Sequence, residues 1–595
     1  MAWPFSTLPL FVAFLPWALA APVSPPTVTT SYGTWQGTTS SSIDSWRGIP
    51  FAEPPVGQLR FAAPVKTTRN YGTFDASKYG KSCPQMNIAS GVFPGFFGQL
   101  TRDLFDVVTG LPILSSVAGT DAAEDCLFLN VQRPAGTAPD AKLPVMVWVY
   151  GGAFLIGSTT MYDGANLVSR SISVNQPIIY VSMNCKDRLN SFGFLPGAEA
   201  AADSTVSPNA GLLDQRLALE WVQENIAAFG GDPTKVTLFG ESAGAISVAF
   251  QMLAFDGNIK SAATGNDLFR AAIMQSGSPI PVGPPEYGQS SFDALVNAGG
   301  CASASDKIAC LRALPYSKMR DATNTLGNIF SYRSVSLPFL PRTDGTFLTA
   351  TSQELEQSGK YARLPIINGD QYDEGTILAL GTLNITTEAQ TKTWFKQNWF
   401  PRAPDSVIDQ ARLPPVLLDV LPIALANLTS LQLLALYPQD PRQGSPFNTG
   451  LLYAVTPQNK RINALVGDLV FQAPRRAFVG YTNATQPTWS FISRAGRNNP
   501  FLGSFHGTSL FSCGDILTTF GLTTPTASEE LQTRWIAFAN NLDPNPTSGK
   551  WRNWPQYGST ATLLQFNDGA STISTDNFRE EGIEYIWEQV EVLTL

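Results

Sequence analysis

The sequence predicts an α/β fold, a large and mostly parallel central sheet flanked by helices. Three observations lead there. Short apolar runs bounded by proline and glycine recur along the chain. Segments with helical spacing separate them. One such run passes directly into a helix through a Gly-x-Ser-x-Gly turn, residues 240–244.

The chain has 595 residues, of which 44% are hydrophobic and 14% charged, so a large core can be buried and disorder is excluded as a global property. The formal net charge of −8 repels phosphate backbones and argues against a nucleic-acid partner. The first segment, MAWPFSTLPLFVAFLPWALA, is apolar, broken by Pro4, Pro9 and Pro16, and ends in Ala18-Leu19-Ala20. That small-x-small ending predicts a signal peptide over 1–20 and a secreted, extracellular product spanning 21–595 as one domain. No later stretch is long and apolar enough to anchor the chain in a membrane.

The strands come next. Val145–Val149 follows Pro144 and precedes a glycine pair; Ile178–Val181 follows Pro177; Val236–Phe239 precedes Gly240; Ile366 and Ile367 follow Pro365. Runs with no polar alternation suit strands buried on both faces. Between them, GLLDQRLALEWVQENIAAFG places Leu213, Leu217, Trp221 and Ile226 on one helical face, and Gly230-Gly231 ends the helix. Ligands of such sheets bind beyond the C-terminal strand edges.

The chemistry gathers at those edges. Ser242, in FGESAGA, sits between a buried-strand pattern and the helical ISVAFQML. That is the context of a nucleophile elbow, with its serine at a helix N-terminus. A serine hydroxyl needs a general base to attack near neutral pH. The chain contains a single histidine, His506, so a Ser-His-acid site must use it. The acid should lie between the two in a loop after a strand, where Asp370, Asp373 and Glu374 all qualify by spacing. Tyr150-Gly151-Gly152-Ala153 follows a strand; the N–H groups of Gly152 and Ala153, with that of Ala243, form a candidate oxyanion hole. No clustered His/Cys ligand set is present, so neither metal nor cofactor is expected.

Six cysteines suit an oxidising compartment. Cys301 and Cys310 could close a small loop, Cys83 and Cys126 a much larger one, and Cys185 and Cys513 are left over. Asn384, Asn427 and Asn483 head N-glycosylation sequons.

Together these segments resemble the type-B carboxylesterase/lipase family, which includes the cholinesterases. RGIPFAEPPVGQLRF from Arg47 is similar to its N-terminal signature, Glu124–Asn130 to its second, and GGDPTKVTLFGESAGA to its active-site signature. YPQDPRQGSPFNTG and WIAFANNLDPN resemble its secreted fungal lipases. The resemblance implies the α/β-hydrolase fold, Glu374 as the acid, and the disulfides Cys83–Cys126 and Cys301–Cys310. Two departures stand out: Ala153 replaces the usual last glycine of the oxyanion loop, and Arg188 takes the place of an expected arginine after a short insertion.

In the fungal lipases the large disulfide loop is a lid. Here residues 83–126 contain Phe93, Phe96, Phe97, Leu100, Leu104, Val108 and Leu111 with polar residues between, an amphipathic pattern suited to an oil–water interface. The loop has no tryptophan to cage a choline cation. The expected activity is hydrolysis of carboxylic esters, with long-chain acylglycerols and sterol esters favoured as substrates. A short-chain carboxylesterase with a fixed lid is the alternative. A non-catalytic, cholinesterase-like binding protein is the remote one, disfavoured by the filled triad.

Overall fold

The computed structural model describes residues 24–88, 121–184, 188–408, 433–508 and 524–595. The expected signal peptide, the lid residues Phe93 to Leu111, Asn427, Cys185 and Cys513 lie outside the described residues.

In chain order the described strands begin with β1 (Thr27–Thr30), β2 (Gly33–Gln36), β3 (Thr38–Ser40), β4 (Ile43–Pro50) and β5 (Thr73–Asp75). β6 (Phe128–Pro134), β7 (Leu143–Val149), β8 (Ile179–Met183), β9 (Gly231–Glu241) and β10 (Ala271–Gln275) follow. The last are β11 (Ile366–Gln371), β12 (Thr488–Ser493), β13 (Thr562–Phe566) and β14 (Thr572–Thr575). β1, β2 and β5 make a small separate sheet. The other strands form one sheet in the order β14-β13-β12-β11-β10-β9-β7-β8-β6-β4-β3. From β13 to β8 in that order every neighbouring pair is parallel, and antiparallel strands close both edges. This is the α/β-hydrolase arrangement that the resemblance implied.

The apolar runs fold as strands because both of their faces are covered. On β7, Val145, Val147 and Val149 point into one core cluster, and Met146 and Trp148 point into the other. The helix Ala210–Asn225 covers the first face, and the helix Pro525–Asn541 covers the second with Trp535, Ile536 and Phe538. The four residues expected on one face of the first helix all pack on the same core, to different depths. Trp221 and Ile226 are buried, but Leu213 and Leu217 are half-buried, and Leu212, Leu219 and Val222 carry the deepest contacts. This helix is buried around most of its girth, with Asp214, Gln215, Gln223 and Asn225 buried alongside the apolar residues, so a one-face reading of the spacing catches only part of its covered surface. It tightens into a 3-10 turn over Ile226–Phe229 and ends at Gly230 in the left-handed region.

Strand order positions the site. The chain leaves β7 for β8 on one side and returns to β9 on the other, so the sheet reverses its winding between β7 and β9. A crevice opens at such a point beyond the strand ends. Val149 at the end of β7 lies in register with Gly240 near the end of β9, which sets the two following loops side by side. Among the described residues no helix is long and apolar enough to cross a membrane.

Candidate active site

Ser242 caps the helix Ala243–Gly257 with φ 57° and ψ −132°, a conformation that L-residues avoid. The flanking glycines make this turn possible. A Cβ on Gly244 would lie 2.1 Å from the Val149 carbonyl oxygen, and one on Gly240 would lie 2.7 Å from both that oxygen and the Gly244 carbonyl carbon. The Ser242 N–H donates to the Gln275 carbonyl at 2.8 Å, tying the turn to β10. The side chain stands at the positive end of the helix.

His506 arrives from the loop after β12. An isolated parallel bridge between Asp373 and Phe505 holds that loop against the end of β11, with the Asp373 N–H donating to the Ser504 carbonyl at 3.0 Å. Their next neighbours in the chain, Glu374 and His506, meet: His506 Nδ1 lies 2.6 Å from Glu374 Oε2. The other ring nitrogen, Nε2, lies 2.7 Å from Ser242 Oγ. With the proton on Nδ1, the imidazole donates to the carboxylate and accepts from the serine hydroxyl. Glu374 Oε1 accepts from the Gln371 N–H at 2.6 Å, so both carboxylate oxygens are engaged. Phe471 packs on the imidazole with ring centroids 4.7 Å apart.

Burial alone would push the His506 pKa down. The carboxylates of Glu374 and then Glu241 outweigh it, and the pKa lies above its ordinary value. Glu241, the variable residue of the elbow motif, was not singled out in the sequence. It is buried, and its Oε1 lies 3.7 Å from His506 Nε2. Its place between Gly240 and Ser242 was the available signal.

The competing acids have other partners. Asp373 accepts from Ser445 Oγ at 2.9 Å, the Phe447 N–H at 2.8 Å and the Ser504 N–H at 3.1 Å. Asp370 lies 3.1 Å from Arg475 Nε. Arg188 is buried and forms a two-point pair with Asp214, at 3.0 and 2.6 Å, so it is a strut between loop and helix.

On the other side of Ser242, Gly152 and Ala153 have φ 113° and 59°, which turns the chain sharply after Tyr150. Ala153, Ala243, Ser242 and His506 line one pocket. The N–H of Ala243, at the first position of its helix, has no acceptor within the helix. The rest of the pocket is apolar, lined by Phe154, Ile246, Ile280, Leu337, Leu340 and Val470 among others. None of these carries a chemical group that a motif search would find.

Cys83 is bonded to Cys126 and Cys301 to Cys310, as the resemblance implied. Asn384 is exposed, and Asn483 is half-buried with its side-chain oxygen accepting from the Gly558 N–H. No group of three or more metal-ligating side chains occurs among the described residues.

Residues 24–583 match the profile of the Carboxylesterase family. The chain is 41% identical to Secreted lipase 1 of Botryotinia fuckeliana, with 98% of each chain covered. It is 41% identical to a secreted triacylglycerol lipase of Gibberella zeae, covering 94% of this chain and 90% of that one. It is 42% identical to Lipase 2 of Diutina rugosa, covering 94% and 96%. Among solved structures, it superposes on Aspergillus niger EstA with a TM-score of 0.74 at 23% identity, covering 96% of this chain and 99% of that one. A thermophilic pNB esterase gives a TM-score of 0.69 at 27% identity, covering 95% and 100%.

Proposed function

The chain belongs to the carboxylesterase family, and from that premise we propose that it cleaves long-chain acylglycerols at a lipid surface with Ser242, His506 and Glu374. It is a carboxylic ester hydrolase and a secreted lipase, like its relatives in Botryotinia fuckeliana and Gibberella zeae. One observation carries the assignment of roles: a single imidazole bridges a serine oxygen at 2.7 Å and a buried carboxylate at 2.6 Å, at the mouth of an apolar pocket.

The reaction runs in two halves. His506 Nε2 takes the Ser242 proton as Oγ bonds to the ester carbonyl carbon. The carbonyl oxygen becomes an oxyanion facing the N–H groups of Gly152, Ala153 and Ala243. Each such donor is worth about 3–4 kcal/mol of transition-state stabilisation. The bond to the alcohol oxygen then breaks, and His506 returns the proton to that alcohol. Water, deprotonated by the same imidazole, repeats the attack on the acyl-enzyme and frees the acid. Glu374 keeps the imidazole in the required tautomer and stabilises its charged form. The apolar pocket beside Ser242 suits the acyl chain.

Diisopropyl fluorophosphate should label Ser242 and abolish activity; labelling elsewhere would overturn the nucleophile. The lipid-surface part is tested by rate against tributyrin concentration across its solubility limit. A rise steeper than hyperbolic at the limit, with activity on triolein, is expected. A smooth hyperbola with no activity on triolein would make the protein a short-chain carboxylesterase.

A further inference from the structure

An uncharged apolar ridge stands beside the loop that carries His506. Its main segment, PFNTGLLYAVTP over 446–457, holds no charged residue in a chain of formal net charge −8. At its tip Leu451 and Leu452 are 61% and 65% exposed, the two most exposed large apolar side chains among the described residues. The next ring, Tyr453, packs on Phe501 with centroids 5.1 Å apart, and Phe501 is itself exposed. Single exposed leucines are ordinary, but a contiguous apolar set marks an interaction surface. We propose that this ridge is a fixed contact surface for neutral lipid, which seats the catalytic loop against an oil droplet. The proposal rests on the reading of this protein as a lipase that works at a lipid surface.

Bracing makes the first argument. Lys460 is buried beneath the ridge, and its ammonium donates to Thr449 Oγ1 at 2.7 Å, to the Gly450 carbonyl at 3.0 Å and to the Leu452 carbonyl at 3.3 Å. All three of its hydrogens are engaged by the turn that presents the two leucines. Asn459 Nδ2 donates to the Tyr453 carbonyl at 3.2 Å. Asn448, Tyr453 and Phe501 hold φ of 61°, 65° and 63°, in the left-handed region. Such backbone costs free energy and persists only where the surroundings enforce it. The leucines are therefore presented to solvent by a built support.

Continuity with the catalytic loop makes the second. Ser445 Oγ and the Phe447 N–H, at the start of the ridge, both donate to Asp373, the residue that bridges to Phe505 beside His506. A Cβ on Gly503 would lie 2.4 Å from Asp373 Oδ2 and 3.0 Å from Pro446 Cβ, so the two loops meet with no space between them. Asp373 follows β11 and Phe501 follows β12, so the ridge is tied to the sheet edge that also carries Ser242 at the end of β9. Charge selects the occupant. Segment 496–503 adds only Arg497, far short of the basic cluster that draws a protein to an anionic bilayer. An uncharged apolar ridge gains instead by burial against neutral glyceride.

The test is adsorption to a triolein emulsion, read as depletion of protein from the aqueous phase, for wild type and the double variant Leu451→Ser, Leu452→Ser. Both positions are exposed, so kcat/KM on dissolved p-nitrophenyl acetate should stay within about twofold of wild type. The amount of emulsion needed for half-maximal adsorption should rise about tenfold for each leucine, and so about a hundredfold in the double variant. Activity on triolein should fall with it. Leu451→Ser alone, with about a tenfold rise, decides the matter if the double variant does not fold. Adsorption equal to that of wild type would overturn the proposal. Loss of a dimer in sedimentation velocity, with adsorption unchanged, would also overturn it and make the ridge a contact between two copies of the chain. A wild type that neither adsorbs to triolein nor hydrolyses it would instead overturn the lipid-surface reading on which the proposal rests.

Discussion

Of the three buried carboxylates at the end of β11, two that stand four residues apart have opposite surroundings. Glu374 faces an imidazole at 2.6 Å, a partner whose charge can change near neutral pH. Asp370 faces Arg475, whose guanidinium stays charged throughout. Around Asp370 the chain has built a closed ionic cluster: Arg475 Nη1 and Nη2 also donate to Asp576, at 2.7 and 2.9 Å. Burial pushes Asp576 up, but Arg475 and then Arg476 outweigh it and hold it at about 2. Burial pushes Asp370 up to about 8 against the pull of Arg475, and its Oδ1 finds no hydrogen-bond partner among the described residues. One cluster can pass a proton; in the other the fixed charges are those of Arg475 and Asp576, with Asp370 held beside them. The difference lies in the partner and not in the acid.

Experiments can break that contrast, beginning where the effect is largest. Ser242→Ala and His506→Ala should each lower kcat by on the order of 10⁶-fold, and the double variant should be hardly worse than either. His506→Ala within about tenfold of wild type would end the assignment, because no other histidine exists to substitute. Glu374→Gln should lower kcat by about 10⁴-fold, since it removes the acceptor that fixes the imidazole tautomer.

The same substitution sharpens the contrast through pH. His506 acts as a base only when neutral, so kcat/KM should rise with pH through a midpoint above the ordinary 6.5. In Glu374→Gln the first carboxylate raising that midpoint is gone and burial pushes the other way, so the midpoint should fall. An unchanged midpoint would mean that another group governs the acid limb.

Arg475→Ala should act on the fold instead. It strands Asp576 as a buried, poorly compensated charge, with a loss of about 3–5 kcal/mol in denaturant unfolding. At a temperature where the variant remains folded, kcat should stay within about tenfold of wild type, the range of an indirect effect. A catalytic loss matching Glu374→Gln with stability intact would erase the distinction between the clusters. Asp373→Asn should be the mildest, about 1–3 kcal/mol from weakened bonds to Ser445, Phe447 and Ser504. If it harms kcat more than Glu374→Gln does, the acid is misassigned.

What the sequence made legible follows from the range of the interactions involved. The strand from Val145 and the elbow at Ser242 are local: apolar residues on both faces and two glycines at fixed offsets specify them. The choice among Asp370, Asp373 and Glu374 is not local. Which of them meets His506 follows from the pairing of Asp373 with Phe505, a contact that spacing within one loop cannot reveal, and only the family resemblance pointed to Glu374. The helix Ala210–Asn225 was legible as a helix, but its buried face depends on the whole width of the sheet beneath it. Leu337 and Val470 had no signal, since an apolar residue becomes a pocket wall only through the position of residues far along the chain.

The chain's one histidine is held at both ring nitrogens, between a carboxylate and a hydroxyl. Every imidazole resonance in a proton spectrum of this protein therefore comes from this one ring, with no neighbours to assign away. A short contact of 2.6 Å to a carboxylate places the Nδ1 proton where strongly deshielded signals are found. One unlabelled sample followed across pH would report protonation of His506 directly, and repeating it with a bound phosphonate would show how that ring responds when Ser242 is occupied.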